Sequence, residues 1–280
     1  MSGTLRSAHP GAPIGTLGGA GGATAGRDLA KGEVVLSCRG LRRDFGGFTA
    51  VKNVDLDVGH AEVHALIGPN GAGKTTVFNL LTKFLQPTSG TIALMGEDIT
   101  RTPPAKVARM GLVRSFQISA TFPHLTILEN VRVALQRQNG LAIQFWRPLS
   151  SLDRLNARAM ELIEAVGLTE ARDRPAASLS YGRKRVLEIA TTLALEPKVL
   201  LLDEPMAGMG HEDVEVIAAI IRQVAKNHAV LMVEHNLKVV ADLCDRVTVL
   251  QRGEILAAGD YRTVSTDERV RTAYMGTDHA

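Results

Sequence analysis

The chain has 280 residues, 45% of them hydrophobic; that exceeds the ~100–200 residues of an ordinary domain and supplies apolar side chains for one large core or two closely joined ones. Only 4% is aromatic, which argues against a protein that grips single-stranded nucleic acid by stacking bases. The 32 Lys and Arg against 29 Asp and Glu leave a net charge of +3, too small an excess to imply a nucleic-acid partner.

Residues 1–32 are rich in Gly and Ala and carry no continuous apolar run, so they read as a flexible tail rather than a secretory signal. The ordered domain is expected over 33–280. No apolar run reaches the ~18 residues that a membrane-spanning helix needs. Cys38 and Cys244 stand far apart with no metal-ligand spacing, as in a chain kept reduced.

Short alternating pieces, Val34–Cys38 and Val54–Val58, read as strands around the turn-like "DFGGF". An apolar strand "VHALIG" leads into a Gly-rich loop and then a helix, "KTTVFNLLTKFL", that stops at Pro87. After the turn "PTSG", "TIAL" and "GLVRSFQ" read as further strands. From about 118 to 178 the pattern turns helical, with "SLDRLNARAMELIEAVGL" its clearest amphipathic stretch. A long helix follows Ser180 and ends before Pro197. Three apolar strands, "VLLL", "AVLMV" and "VTVL", then alternate with two helices, the signature of a parallel α/β sheet. The helical stretch therefore interrupts an α/β core as an inserted subdomain.

"GPNGAGKT", Gly68 to Thr75, fits the pattern G-x-x-x-x-G-K-[ST] between a strand and a helix. Its glycines let backbone N–H groups wrap a β-phosphate, and the helix N-terminus adds positive potential. Lys74 reaches the β and γ oxygens, and the Thr75 hydroxyl is a ligand for Mg2+. In "VLLLDEP", Asp203 and Glu204 stand at the C-terminal end of a buried strand, where open α/β sheets gather ligands. Asp203 would hold Mg2+ through water, and Glu204 would polarise the attacking water. His235 ends the next strand, and Gln117 ends "VRSFQ" at the same edge, suited to position water or Mg2+. In "LSYGRKR", Ser180 is a natural N-cap, yet Arg183, Lys184 and Arg185 fill a helical first turn that favours anions.

"GPNGAGKTT", Gln117, "LSYGRKR", "LLLDEP" and "VEH", in this order and spacing, resemble the ATP-binding subunit of an ABC transporter over nearly the whole chain from Glu33. The resemblance implies a P-loop NTPase (RecA-like) α/β core with a parallel sheet, an N-terminal antiparallel β subdomain and the inserted α-helical subdomain. It implies ATP and Mg2+ as ligands, with Gly68, Pro69, Asn70, Gly71, Ala72, Gly73, Lys74, Thr75 and Thr76 around the phosphates. Thr75, Gln117 and Asp203 would hold the metal, and Glu204, His235 and Gln117 would serve hydrolysis. In this family two subunits sandwich two ATP molecules head to tail, so Ser180 and Gly182 would donate to a partner's ATP. Phe45 would stack on adenine, with Phe48 as its competitor.

"RSFQ", "LTILENVRVALQ", "LLLDEPMAGM" and "RVRTAYMG" are most similar to the ATPases of branched-chain amino acid importers. That implies a cytoplasmic subunit on the inner face of the cell membrane, a second ATP-binding subunit (identical or different), integral membrane permeases and, indirectly, a periplasmic solute-binding protein. Urea or short-amide importers and lipopolysaccharide exporters are the alternatives, and a soluble non-transport ABC ATPase is a more distant one. Two departures sit at the expected dimer interface: Gly210 where the family carries Asp or Asn, and Arg183 in place of Gln. Arg183 would either add charge toward the nucleotide or pair with a carboxylate of its own subunit. Residues Phe122–Leu128 read as a receiver for a permease helix or as ordinary core.

Overall fold

Two sheets and a helical layer organise the residues that the computed structural model describes: 29–115, 121–138 and 153–275. Residues 1–28 of the expected tail, Gln117 and part of the 118–178 stretch lie outside them.

Strands β1 (Val34–Phe45) and β2 (Phe48–Gly59) form a long antiparallel hairpin. Its two-residue turn, Gly46 and Gly47, has φ of 44° and 100°, the conformation that matches strand twist and that glycine adopts freely. Both strands run further than the expected Val34–Cys38 and Val54–Val58, and the register shifts between Cys38 and Leu41. Such an irregularity breaks the apolar alternation that marks a strand. With β4 (Ser89–Leu94) and β5 (Glu97–Asp98) they make a four-stranded sheet in the order β2-β1-β4-β5.

β3 (Val63–Ile67) opens the second sheet and feeds α1 (Lys74–Leu81). That helix stops four residues short of the expected Leu85, because Lys83 turns left-handed at φ 66° and Leu85 N–H donates back to Asn79 O at 2.9 Å. After α2 (Pro104–Arg109) comes β6 (Leu112–Ser115), then the helical layer of α3 (Ile127–Gln138), α4 (Asn156–Ala165) and α5 (Tyr181–Leu193). The chain returns through β7 (Val199–Asp203), α6 (His211–Ala225), β8 (Ala229–Val233), α7 (Leu237–Leu243) and β9 (Arg246–Gln251). It closes with β10 (Glu254–Gly259), α8 (Tyr261–Thr266) and α9 (Glu268–Met275), none of which the sequence pattern announced.

The second sheet runs β10-β9-β3-β8-β7-β6, parallel except for β10. Its central strands are buried on both faces. Leu200 and Leu202 face a core shared with α3, α4 and α5, whereas Val199 and Leu201 face the core under the first sheet and α1. One residue of register therefore separates the helical side from the β side. The C-terminal ends of β3, β7 and β8 come together at one edge, where their loops carry the chemistry.

Candidate functional site

The loop between β3 and α1 can follow its path only because two of its residues lack a side chain. A Cβ on Gly68 (φ 149°) would fall 2.1 Å from Leu250 O, and one on Gly73 (φ 105°) 2.7 Å from Ala50 O. α1 begins at Gly73 with no side chain capping its first N–H groups, so its N-terminus is open to an anion. Lys74 is buried, and its Nζ donates to Gly68 O at 2.7 Å and Pro69 O at 3.0 Å. Burial lowers the pKa of this ammonium, and the negative charges of Glu204 and Asp203 oppose the shift. A cation held on loop carbonyls beside open N–H groups fits a polyphosphate.

Asp203 ends β7 in a buried position, paired with Arg114 of β6. The same guanidinium donates to Asn79 Oδ1 of α1 at 2.6 Å, so Arg114 joins two strands to the helix after the phosphate loop. Glu204 has a left-handed backbone, φ 47°, and its N–H donates to Val233 O at 3.0 Å. Its Oε1 lies 2.6 Å from His235 Nε2. The structure thus brings Lys74, Asp203, Glu204 and His235 to one edge of the sheet. Thr75 is exposed and Thr76 half-buried in the first turn of α1. Among the described residues no three His, Cys, Asp or Glu side chains cluster as a metal cage. The hard oxygen donors at this edge, the Thr75 hydroxyl and the Asp203 carboxylate, suit a mostly hydrated Mg2+ rather than such a cage.

The first half of β2 is tied to the phosphate loop, since Lys52 N–H donates to Gly253 O and Gly253 N–H to Ala72 O. Phe45 and Phe48 face each other at the tip, 40% and 65% exposed. The Arg43 guanidinium lies 4.6 Å from the centre of the Phe45 ring and covers one of its faces, which leaves Phe48 the freer of the two.

Ser180 caps α5, accepting from Arg183 N–H at 3.4 Å. Gly182 is buried against α6, where the Asp213 carboxylate lies 2.5 Å from the place a Cβ would take. The positive end of α5 therefore has an anion within its own chain. The basic turn also divides its work differently from expectation. Arg185 is the buried member and pairs with Glu188 at 2.7 Å, whereas Arg183 is exposed and holds no carboxylate among the described residues. Among the described residues, no hydrogen bond joins Ser180 or Gly182 to the phosphate loop of the same chain.

Three residues that the motifs passed over join the site: Arg114, Glu234 and Tyr274. Glu234 is 4% exposed, and burial raises its carboxyl pKa. Its signal was available, because it follows five apolar residues of a buried strand without a turn residue between. Tyr274 of α9 hydrogen-bonds the Gly68 backbone, and burial pushes its phenol up to about 12. The stretch Phe122–Leu128 divides between its two readings. Phe122 is 52% exposed beside Phe84 on a groove of about 430 Å³ between the β6 side and α3, whereas Ile127 is fully buried in the helical core.

The family model for ABC transporters matches residues 51–207. The high-affinity branched-chain amino acid transport ATP-binding protein BraF of Pseudomonas aeruginosa is 41% identical over 86% of this chain and 98% of its own length. LivG of Escherichia coli, named for the same transport, is 40% identical over 87% and 98%. The lipopolysaccharide export system ATP-binding protein LptB of Haemophilus influenzae is 34% identical over 86% and 97%. Among solved structures, the ADP conformation of MJ1267, an ATP-binding cassette of an ABC transporter, superposes with a TM-score of 0.77 at 29% identity, covering 87% of this chain and 99% of that one.

Proposed function

The chain belongs to the ABC transporter family of ATP-hydrolysing, ATP-binding subunits, and from that membership we propose that it energises uptake of branched-chain or similar hydrophobic amino acids. The observation that carries the hydrolytic part is the meeting of Lys74, Asp203, Glu204 and the Glu204–His235 pair at one sheet edge. Identity of 41% and 40% to the two branched-chain ATPases against 34% to the lipopolysaccharide one favours import over export.

Lys74 and the open N–H groups of α1 orient the β- and γ-phosphates of ATP. Thr75, Asp203 and Gln117 would hold Mg2+, which neutralises charge on the phosphates when bound. Glu204 polarises the attacking water, and His235 fixes the carboxylate's direction from 2.6 Å. Ser180 and Gly182, at the N-terminus of α5, suit the nucleotide of a second ATP-binding subunit. The groove at Phe84 and Phe122 suits an apolar helix of an integral membrane permease, and through the permease a periplasmic solute-binding protein would be served. No helix among the described residues is long and apolar enough to cross a membrane, which fits a peripheral subunit on the cytoplasmic face.

Replacing Glu204 with Gln tests this reading in the assembled transporter. ATP binding should persist, while hydrolysis and uptake of labelled leucine both fall by about 10²–10⁴-fold, the usual worth of a general base. Undiminished hydrolysis removes Glu204 from that role, and hydrolysis lost without any leucine uptake to lose in the parent removes the solute.

A further inference from the structure

We propose that Glu234 is a positioning residue for hydrolysis, tying the loop after β7 to the loop after β8 so that Glu204 and His235 stay paired. The proposal rests on the reading of Glu204 and His235 given above. Glu234 is one of few carboxylates buried within the described residues, and no Lys or Arg side chain pairs with it. Its acceptors go to backbone instead. Oε1 accepts from Met206 N–H at 3.2 Å, two residues beyond Glu204. Oε2 accepts from His235 N–H at 3.1 Å and Asn236 N–H at 3.4 Å.

One carboxylate thus holds three N–H groups from two loops, and those loops carry the two side chains that touch at 2.6 Å. Beyond the β7–β8 ladder, the other ties across this gap among the described residues are Glu204 N–H to Val233 O and the His235–Glu204 contact itself. Asn236 next caps α7 by accepting from Lys238 and Val239 N–H, so the hold on His235 is anchored at both sides. A buried carboxylate left without such donors is costly, which is why the loops must supply them together. An apolar residue of similar size would fill the same space and leave both loops untied.

Glu234→Gln keeps the shape and one carbonyl acceptor but turns an NH2 toward donors that need an acceptor. In the full chain, assembled as it turns over ATP, kcat should fall about tenfold while the Kd of a fluorescent ADP analogue changes less than about twofold, since the phosphate loop is untouched. The deciding measurement is a cycle with His235→Ala. If Glu234 acts through His235, adding Glu234→Gln to His235→Ala lowers kcat by less than about twofold further. Multiplicative losses, or wild-type kcat in Glu234→Gln, overturn the proposal. A fully active His235→Ala is a separate result and overturns the site reading beneath it.

Discussion

Glu204 has φ 47°, a region where the Cβ of an L-residue crowds the following carbonyl at a cost of about 1–2 kcal/mol. The strand edge holds it there: its N–H is taken by Val233 O and its carboxylate by His235. Backbone strain at the residue that polarises water is stored by the fold, and a residue without a Cβ releases it. Glu204→Gly should therefore be more stable than Glu204→Ala by about 1 kcal/mol in urea unfolding. Equal midpoints would show that no strain is held at this position. Lys74, Asp203 and His235 could be singled out in the sequence because phosphate and metal chemistry restricts the residue types in a phosphate loop and at or just past strand ends. Arg114 could not, because a charge beside a motif reads the same whether it faces water or a neighbouring loop, and Glu234 was marked only by its place directly after five apolar strand residues.

Helix α5 shows what an element can hide. Its apolar stripe was plain, but the sequence does not say which of three cations in its first turn turns inward. Packing decides: Arg185 enters the core with Glu188, and Arg183 stays at the third helical position in water. There it opposes the helix dipole with no ion pair of its own among the described residues, while the cap of Ser180 holds the turn. Arg183→Gln should stabilise the chain by about 0.3–1 kcal/mol, and Ser180→Ala should destabilise it by about 1 kcal/mol. Denaturant midpoints at low and high salt check both. The Arg183 gain should shrink with salt and the Ser180 loss should not; a salt-independent pair of effects would leave the dipole account without support. Other elements stayed hidden for a different reason. The β1–β2 ladder is interrupted by register shifts, and α8 and α9 are too short and polar for periodicity to register.

At the scale of the whole molecule, the phosphate loop depends on how the two sheets are joined, and His64 stands at that joint. It belongs to β3, is fully buried, and reaches β2 through Asp57 O at 3.0 Å and β9 through Thr248 Oγ1 at 2.8 Å. A carbonyl accepts only, so Nδ1 carries the proton toward Asp57 and Nε2 accepts from the Thr248 hydroxyl: the neutral ring satisfies both sheets. Burial first, and the charge of Arg246 second, lower its pKa to about 4. In the unfolded chain the ring titrates near ~6.5. Between those values the unfolded state takes up a proton that the native state refuses, so this contribution is complete above ~6.5 and drains away as pH falls toward 4. At ~1.4 kcal/mol per unit the loss amounts to about 3 kcal/mol. His64→Gln can still donate to Asp57 O but does not titrate. Its deficit in unfolding free energy relative to wild type should therefore be largest at pH 7 and shrink by about 3 kcal/mol on the way to pH 4. Parallel stability curves for the two proteins across that range would mean that the joint between the sheets does not depend on a neutral His64.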